Sequence, residues 1–180
     1  EAIPLFEQVL TDRIRILGED HPEVLTSRNN LASAYSSVGR VTEAIPLFEQ
    51  VLTDRIRILG EDHPETLAPR NNLACAYFSA SRQNEAIPLF EQILKDSIRV
   101  LGEDQPQTLA SHSNLAGAYL AVGRADEAIT QFEQALAGCT RVLDEDHPLT
   151  KAVRENLEAA RRELEQQEED SANEEREQED

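Results

Sequence analysis

The chain has 180 residues, 39% of them apolar and 4% aromatic, with a formal net charge of −18. Such a field repels phosphate backbones and anionic membranes, which argues against nucleic-acid binding by charge neutralisation, and no apolar run approaches the roughly 18 residues that span a bilayer. With no basic start followed by an apolar segment, the chain reads as soluble and cytoplasmic, and Cys75 and Cys139 read as reduced thiols without metal-type spacing.

Residues 1 to 23 return letter for letter as residues 43 to 65, a 42-residue step, and the frame recurs at Glu85 and Glu127. Self-similarity at this period marks an array of about four units, each burying its apolar face against the next, so function belongs to a surface. The chain starts in mid-repeat and has no Met, and it reads as a fragment of something longer.

In one unit, Ala44, Ile45, Phe48, Val51, Leu52, Ile56 and Leu59 follow the three-and-four spacing of an amphipathic helix that ends in Gly60. Asp62-His63-Pro64 restarts the chain, with proline where a missing N–H costs nothing. A second helix carries Leu67, Leu73, Ala74, Tyr77 and Ala80 and stops at Ser81-Arg82, where other copies have Gly39-Arg40 and Gly123-Arg124. Thr42, Asn84 and Asp126 stand where each next helix needs an N-cap. Helices are thus predicted near 1–17, 22–38, 43–59, 64–80, 85–101, 106–122, 127–143 and 148–166, with no strand between them. His21, His63 and His147 share the Asp-His-Pro turn, and Gln105 replaces them once. Whole repeats separate them, so a turn role is favoured over a metal site, and no cofactor is implied.

The last helix has Glu158 where earlier copies have Ala and Arg161 where they have Tyr, as a solvent-facing terminal repeat requires. The array therefore spans 1–166, with a capping helix from about 148. Residues 167–180 read as a frayed helix end running into an acidic, disordered tail, since the stretch from Glu163 to Asp180 carries ten acids against Arg176 alone.

The run Asn29-Asn30-Leu31-Ala32-x-Ala34-Tyr35, the Gly39-Arg40 turn, Glu43-Ala44-Ile45-x-Leu47-Phe48-Glu49 and the Leu17-Gly18-Glu19-Asp20-His21-Pro22 linker together resemble the tetratricopeptide repeat (TPR) in its 42-residue, kinesin light chain-like form. The Arg-Asn-Asn-Leu-Ala and Ile-Pro-Leu-Phe-Glu-Gln wording is also similar to the arrays of bacterial NB-ARC (STAND-type) signalling ATPases. The resemblance covers residues 1 to about 160. It implies an all-α superhelical solenoid of antiparallel helix pairs, in which the first helix of each pair lines a concave groove for a peptide or helix of a partner protein.

If that groove carries over, it includes Asn29, Ser33, Ser36, Asn71, Asn72, Cys75, Phe78, Ser113, Asn114 and Leu120. Asn both donates and accepts, so such a column suits a peptide backbone, although one Asn of each pair could instead tie neighbouring helices together. Repeats 1 and 2 differ at nine of 42 positions, all between residues 24 and 42, and Thr26/Ala68, Ser33/Cys75 and Ser36/Phe78 are among them. These would set specificity, with Phe78 and Leu120 as an apolar spot for an anchor side chain. Arg28, Arg70, His112 and Arg154 form another row, either attractive to an acidic ligand, including the chain's own tail, or a solvated edge.

Nothing points to an enzyme: the chain has no phosphate loop, no H-E-x-x-H, no C-x-x-C and no G-x-S-x-G. The leading expectation is a protein–protein interaction module. Its alternatives are a sensor array of a larger STAND-type ATPase and a scaffold that self-associates through its open amino-terminal helix.

Overall fold

Helices punctuated by glycine and proline dominate the computed structural model, which describes residues 2–179 and their side chains except 172–175 and 177–179. Eight α-helices and one short 3₁₀ turn account for the secondary structure, and none of the described residues is in a strand. The chain divides into two units within α5. Unit 1 holds α1 (Ala2–Leu17), α2 (Pro22–Ser37), α3 (Val41–Leu59), a 3₁₀ turn (Pro64–Thr66), α4 (Leu67–Ser79) and most of α5 (Gln83–Leu101). Unit 2 holds the end of α5, α6 (Pro106–Leu120), α7 (Ala125–Val142) and α8 (Pro148–Glu179). The chain stays helical past residue 166, where the sequence suggested that the array's last helix frays. Residue 180 and most of the tail's acidic side chains lie outside the described residues.

Small residues bring the helices together. Ala32, Ala44, Ala74 and Ala86 are fully buried in unit 1, as are Ala116, Ala128, Ala135 and Ala160 in unit 2, while Phe48, Phe90 and Phe132 fill the space beside them. The core of unit 1 gathers Leu10, Val24, Leu31, Tyr35, Ile45, Phe48 and Leu73.

The two kinds of turn have different chemistry. After α1, α3 and α5 the chain turns on Gly18, Gly60 and Gly102, all at positive φ. The imidazoles of His21, His63 and His147 cap α2, the 3₁₀ turn before α4 and, after α7, α8, each Nδ1 accepting the backbone N–H two residues on at 3.2 Å. That explains the Asp-His-Pro wording, and Gln105 makes no such bond. In α4 the first turn is 3₁₀ because Pro69, found in no other copy, supplies no N–H to residue 65 and crowds its carbonyl.

After α2, α4 and α6 the chain closes with the paired bonds of a Schellman motif, such as Gly39 N–H to Ser36 O and Arg40 N–H to Tyr35 O. The next helix then starts two residues earlier than predicted, so Thr42, Asn84 and Asp126 lie inside it and are not N-caps. Arg40 and Arg124 occupy the cap position without a side-chain cap bond. Arg40, Arg82 and Arg124 instead pair with Glu43, Glu85 and Glu127 and lie over the rings of Tyr35, Tyr77 and Tyr119 at 4.6, 4.3 and 4.2 Å. The Tyr35 and Tyr77 hydroxyls reach the helix before: Tyr35 donates to Glu7 and Tyr77 to Glu49 at 2.6 Å, and burial with this bond pushes the Tyr77 phenol up to about 12. Arg161, exposed in place of that tyrosine, keeps the link by pairing with Glu133 at 2.8 Å.

Charged pairs cross the interior of unit 1. Arg28 meets Asp54 at 3.0 Å and Arg70 meets Asp96 at 2.6 Å, both arginines being buried. Gln92 also donates to Asp96 at 3.0 Å.

Two stability measurements test these features. Ser81 takes the left-handed conformation (φ 58°) that glycine occupies in the other copies, so Ser81→Gly should raise stability by about 1 kcal/mol in urea titrations. Arg70→Ala should cost about 3–5 kcal/mol by stranding Asp96, whereas Arg70→Met with Asp96→Leu should recover most of that loss.

Candidate functional site

The face shared by α2 and α4 is held by an amide pair: Asn72 Nδ2 donates to Asn29 Oδ1 at 3.0 Å. Both side chains are half-buried, and Asn72 lies between two depressions. The larger, of about 310 Å³, is lined by Leu25, Thr26, Asn29, Val51, Arg55, Glu65, Ala68, Pro69 and Asn72. The smaller, of about 200 Å³, has Phe48 and Ala76 with Ser33, Ser36, Asn72, Cys75 and Ser79 around them. The helix spacing explains the grouping: positions three and four apart on α2 (29, 33, 36) and on α4 (72, 75, 79) share one face.

Charge is confined to one ion pair, Arg55 with Glu65, in the larger depression. Elsewhere the lining offers amide, hydroxyl and thiol groups. The Ser36 Oγ is buried and finds no hydrogen-bond partner in the protein. Cys75 is exposed, yet desolvation of its thiol against the helices raises its pKa above the ordinary value, so it is protonated at neutral pH. Asn71 donates to Cys75 Sγ at 3.8 Å.

Five of the sequence candidates, Asn29, Ser33, Ser36, Asn72 and Cys75, are therefore brought together, as are Thr26 and Ala68. Asn71 and Phe78 are half-buried on α4 and line neither depression. Ser113, Asn114 and Leu120 lie on α6 in unit 2, half-buried, exposed and half-buried respectively.

The arginine row is not a surface. Arg28 and Arg70 are buried in their ion pairs, and His112 is buried with Nδ1 2.8 Å from Gln131 Oε1. Only Arg154 of the four is half-exposed. The row follows helix periodicity correctly, but that face meets the next helix, where Asp54 and Asp96 await it. Sequence reasoning also missed Phe48, Arg55 and Glu65 as lining residues. The repetition of Arg13 with Glu23, 3.4 Å apart, as Arg55 with Glu65 one period later was the available signal.

Among the described residues no group of His, Cys, Asp and Glu could hold a metal ion, and no helix is long and apolar enough to cross a membrane.

The profile of the tetratricopeptide repeat matches residues 1–54, 29–97, 85–140 and 107–169. A kinesin light chain-like protein of Podosopora anserina with nearly identical TPR-like repeats is 36% identical, with a TM-score of 0.80, over 93% of this chain and 80% of that one. BtubC (BKLC) of P. vanneervenii is 21% identical, with a TM-score of 0.78, over 89% of this chain and 64% of that one. SycD, a type III secretion translocator chaperone of Yersinia enterocolitica, is 17% identical, with a TM-score of 0.61, over 84% and 93%. The last two show a shared fold. No curated protein matches the chain.

His112 gives a pH test. Burial lowers its pKa below the ordinary 6.5, against the opposing effects of Gln131 and Glu103. The folded chain thus binds fewer protons here than the unfolded one, so this stability is present above about pH 6.5 and is lost as pH falls below it towards the depressed value. His112→Gln should flatten that part of the slope in urea titrations run from pH 7.5 to 5.5.

Proposed function

Since the chain belongs to the tetratricopeptide repeat family, we propose that it is a protein–protein interaction module that captures a peptide segment of a partner on the α2–α4 face. The observation that carries this is the pair of depressions on either side of Asn72, the smaller lined by uncharged donors and acceptors around Phe48 and the larger by amide, hydroxyl and apolar groups with the one Arg55–Glu65 pair. A peptide backbone presents one donor and one acceptor per residue, and amides that both donate and accept can match it whatever its side chains. Ser36 Oγ supplies an unused bond, and the volume of about 200 Å³ beside Phe48 suits one small apolar side chain. Tetratricopeptide arrays are in general non-catalytic scaffolds, and an open face of this kind excludes water poorly, in keeping with capture and not chemistry.

Cys75 provides the readout. Peptides selected from a displayed library on the wild-type chain should slow its reaction with a thiol reagent. They should also bind Ser36→Leu, in which the smaller depression is filled, about tenfold or more weakly at unchanged thermal stability. Equal binding to the variant, with Cys75 reacting at its free rate, would remove this face as the binding site.

A further inference from the structure

Unit 2 departs from the repeat at one place by several changes together. Where α4 and α5 have Arg70 and Asp96, the register places His112 on α6 and Gly138 on α7, while Leu89 gives way to Gln131 and Lys95 to Ala137. No buried ion pair can form there. Leu109 occupies the space on one side, its Cδ2 lying 2.2 Å from where a Cβ on residue 138 would stand. Beside it a cavity of about 340 Å³ is open, lined by Ile98, Glu103, Leu109, His112, Gln134, Ala137 and Arg141.

The changes remove a guanidinium and leave much of its surroundings. Glu103 stands at the register of Glu61, whose carboxylate lies 3.9 Å from Arg70 Nη2. Leu109 stands at that of Leu67. Arg141 is already matched, since its Nε and Nη2 bond Asp104 at 3.1 and 2.5 Å. With Gln131 Oε1 accepting from Nδ1, neutral His112 keeps Nε2 as an acceptor. Arg141 also feels the charge of Glu103, so Glu103, Asp104 and Arg141 together leave one net negative charge at the cavity, beside further acceptors and apolar walls.

We propose that this cavity is a socket for a guanidinium: an arginine presented by a partner protein docks there in trans, beside the place that corresponds to that of Arg70 and that Leu109 and His112 fill in unit 2. Glu103 supplies the charge-assisted bond, and the His112 Nε2 and the Gln134 carbonyl take up remaining N–H donors. Ile98, Leu109 and Ala137 pack on the aliphatic stem. The socket is separate from the α2–α4 face and does not depend on its role.

The test follows the His112 ring by NMR at pH 7.5 while N-acetylarginine amide is added to the full chain. A saturable shift is expected, about tenfold weaker for N-acetylcitrulline amide, which keeps the shape without the charge, and similarly weakened in Glu103→Gln. Ala137→Lys, an exposed change that restores the residue of Lys95, should abolish it by placing an ammonium in the site. The proposal is overturned by no saturable shift, by an equal response to the citrulline compound, by a tighter response to acetate, or by undiminished binding to Ala137→Lys.

Discussion

No single pair of these helices encloses a core, so each helix must bury its apolar stripe against neighbours on two sides. Val9 and Val51 show the constraint directly, because they stand at the same register in identical sequence. Val51, on α3 between α2 and α4, is 2% exposed, whereas Val9, on α1, is 43% exposed. Burial is a property of the neighbour and not of the letter. The same constraint explains a core built from alanine with one phenylalanine per pair. A methyl group lets two backbones approach on both sides, and each buried Phe still contributes about 1.5–3 kcal/mol.

Two-sided packing also decides which charges can enter. A buried guanidinium costs several kcal/mol unless a partner is in place, so Arg28 and Arg70 depend on Asp54 and Asp96, each 26 residues further on. Losing either partner alone would strand the other. In unit 2 both members changed together, to His112 and Gly138, and Gln131 replaced a leucine where the imidazole needed a hydrogen bond. The differences are physically coupled, and an open cavity lies beside Leu109 at the same place.

The fold was legible in the sequence because its signals are local and repeated. Glycines at positive φ, prolines in first turns and three-and-four spacing placed all eight helices to within a few residues, apart from the end of α8. What failed was the chemistry of ends and faces. Thr42, Asn84 and Asp126 suit an N-cap, but the Schellman closure leads straight into the next helix, and an arginine stacked on tyrosine does the joining. The histidines were read as turn residues without their role as acceptors. The arginine row showed a shared face, while the aspartates that cover it lie too far along the chain for periodicity to reveal. Phe48 escaped notice because one apolar side chain can be core on one side and pocket lining on the other.

The lining of the α2–α4 depressions carries no net charge in a chain of net charge −18, and a binding face of this kind would separate two tasks that a charged site would combine. The field of the whole chain favours approach by basic segments and sets encounter rates, and it is screened by salt. It cannot distinguish one basic segment from another. If the α2–α4 face binds a peptide as proposed, discrimination at short range would fall to groups that act only on contact: the amides of Asn29 and Asn72, the hydroxyl of Ser36 and the apolar surface of Phe48. A site with fixed charges would gain affinity from any counter-ion and lose it in salt. A site of neutral donors and acceptors rejects a ligand whose polar groups do not match, because each unmatched group is desolvated without compensation. On the proposed reading, specificity would rest on hydrogen-bond register along α2 and α4, the same register that the 42-residue repeat imposes on the helices themselves.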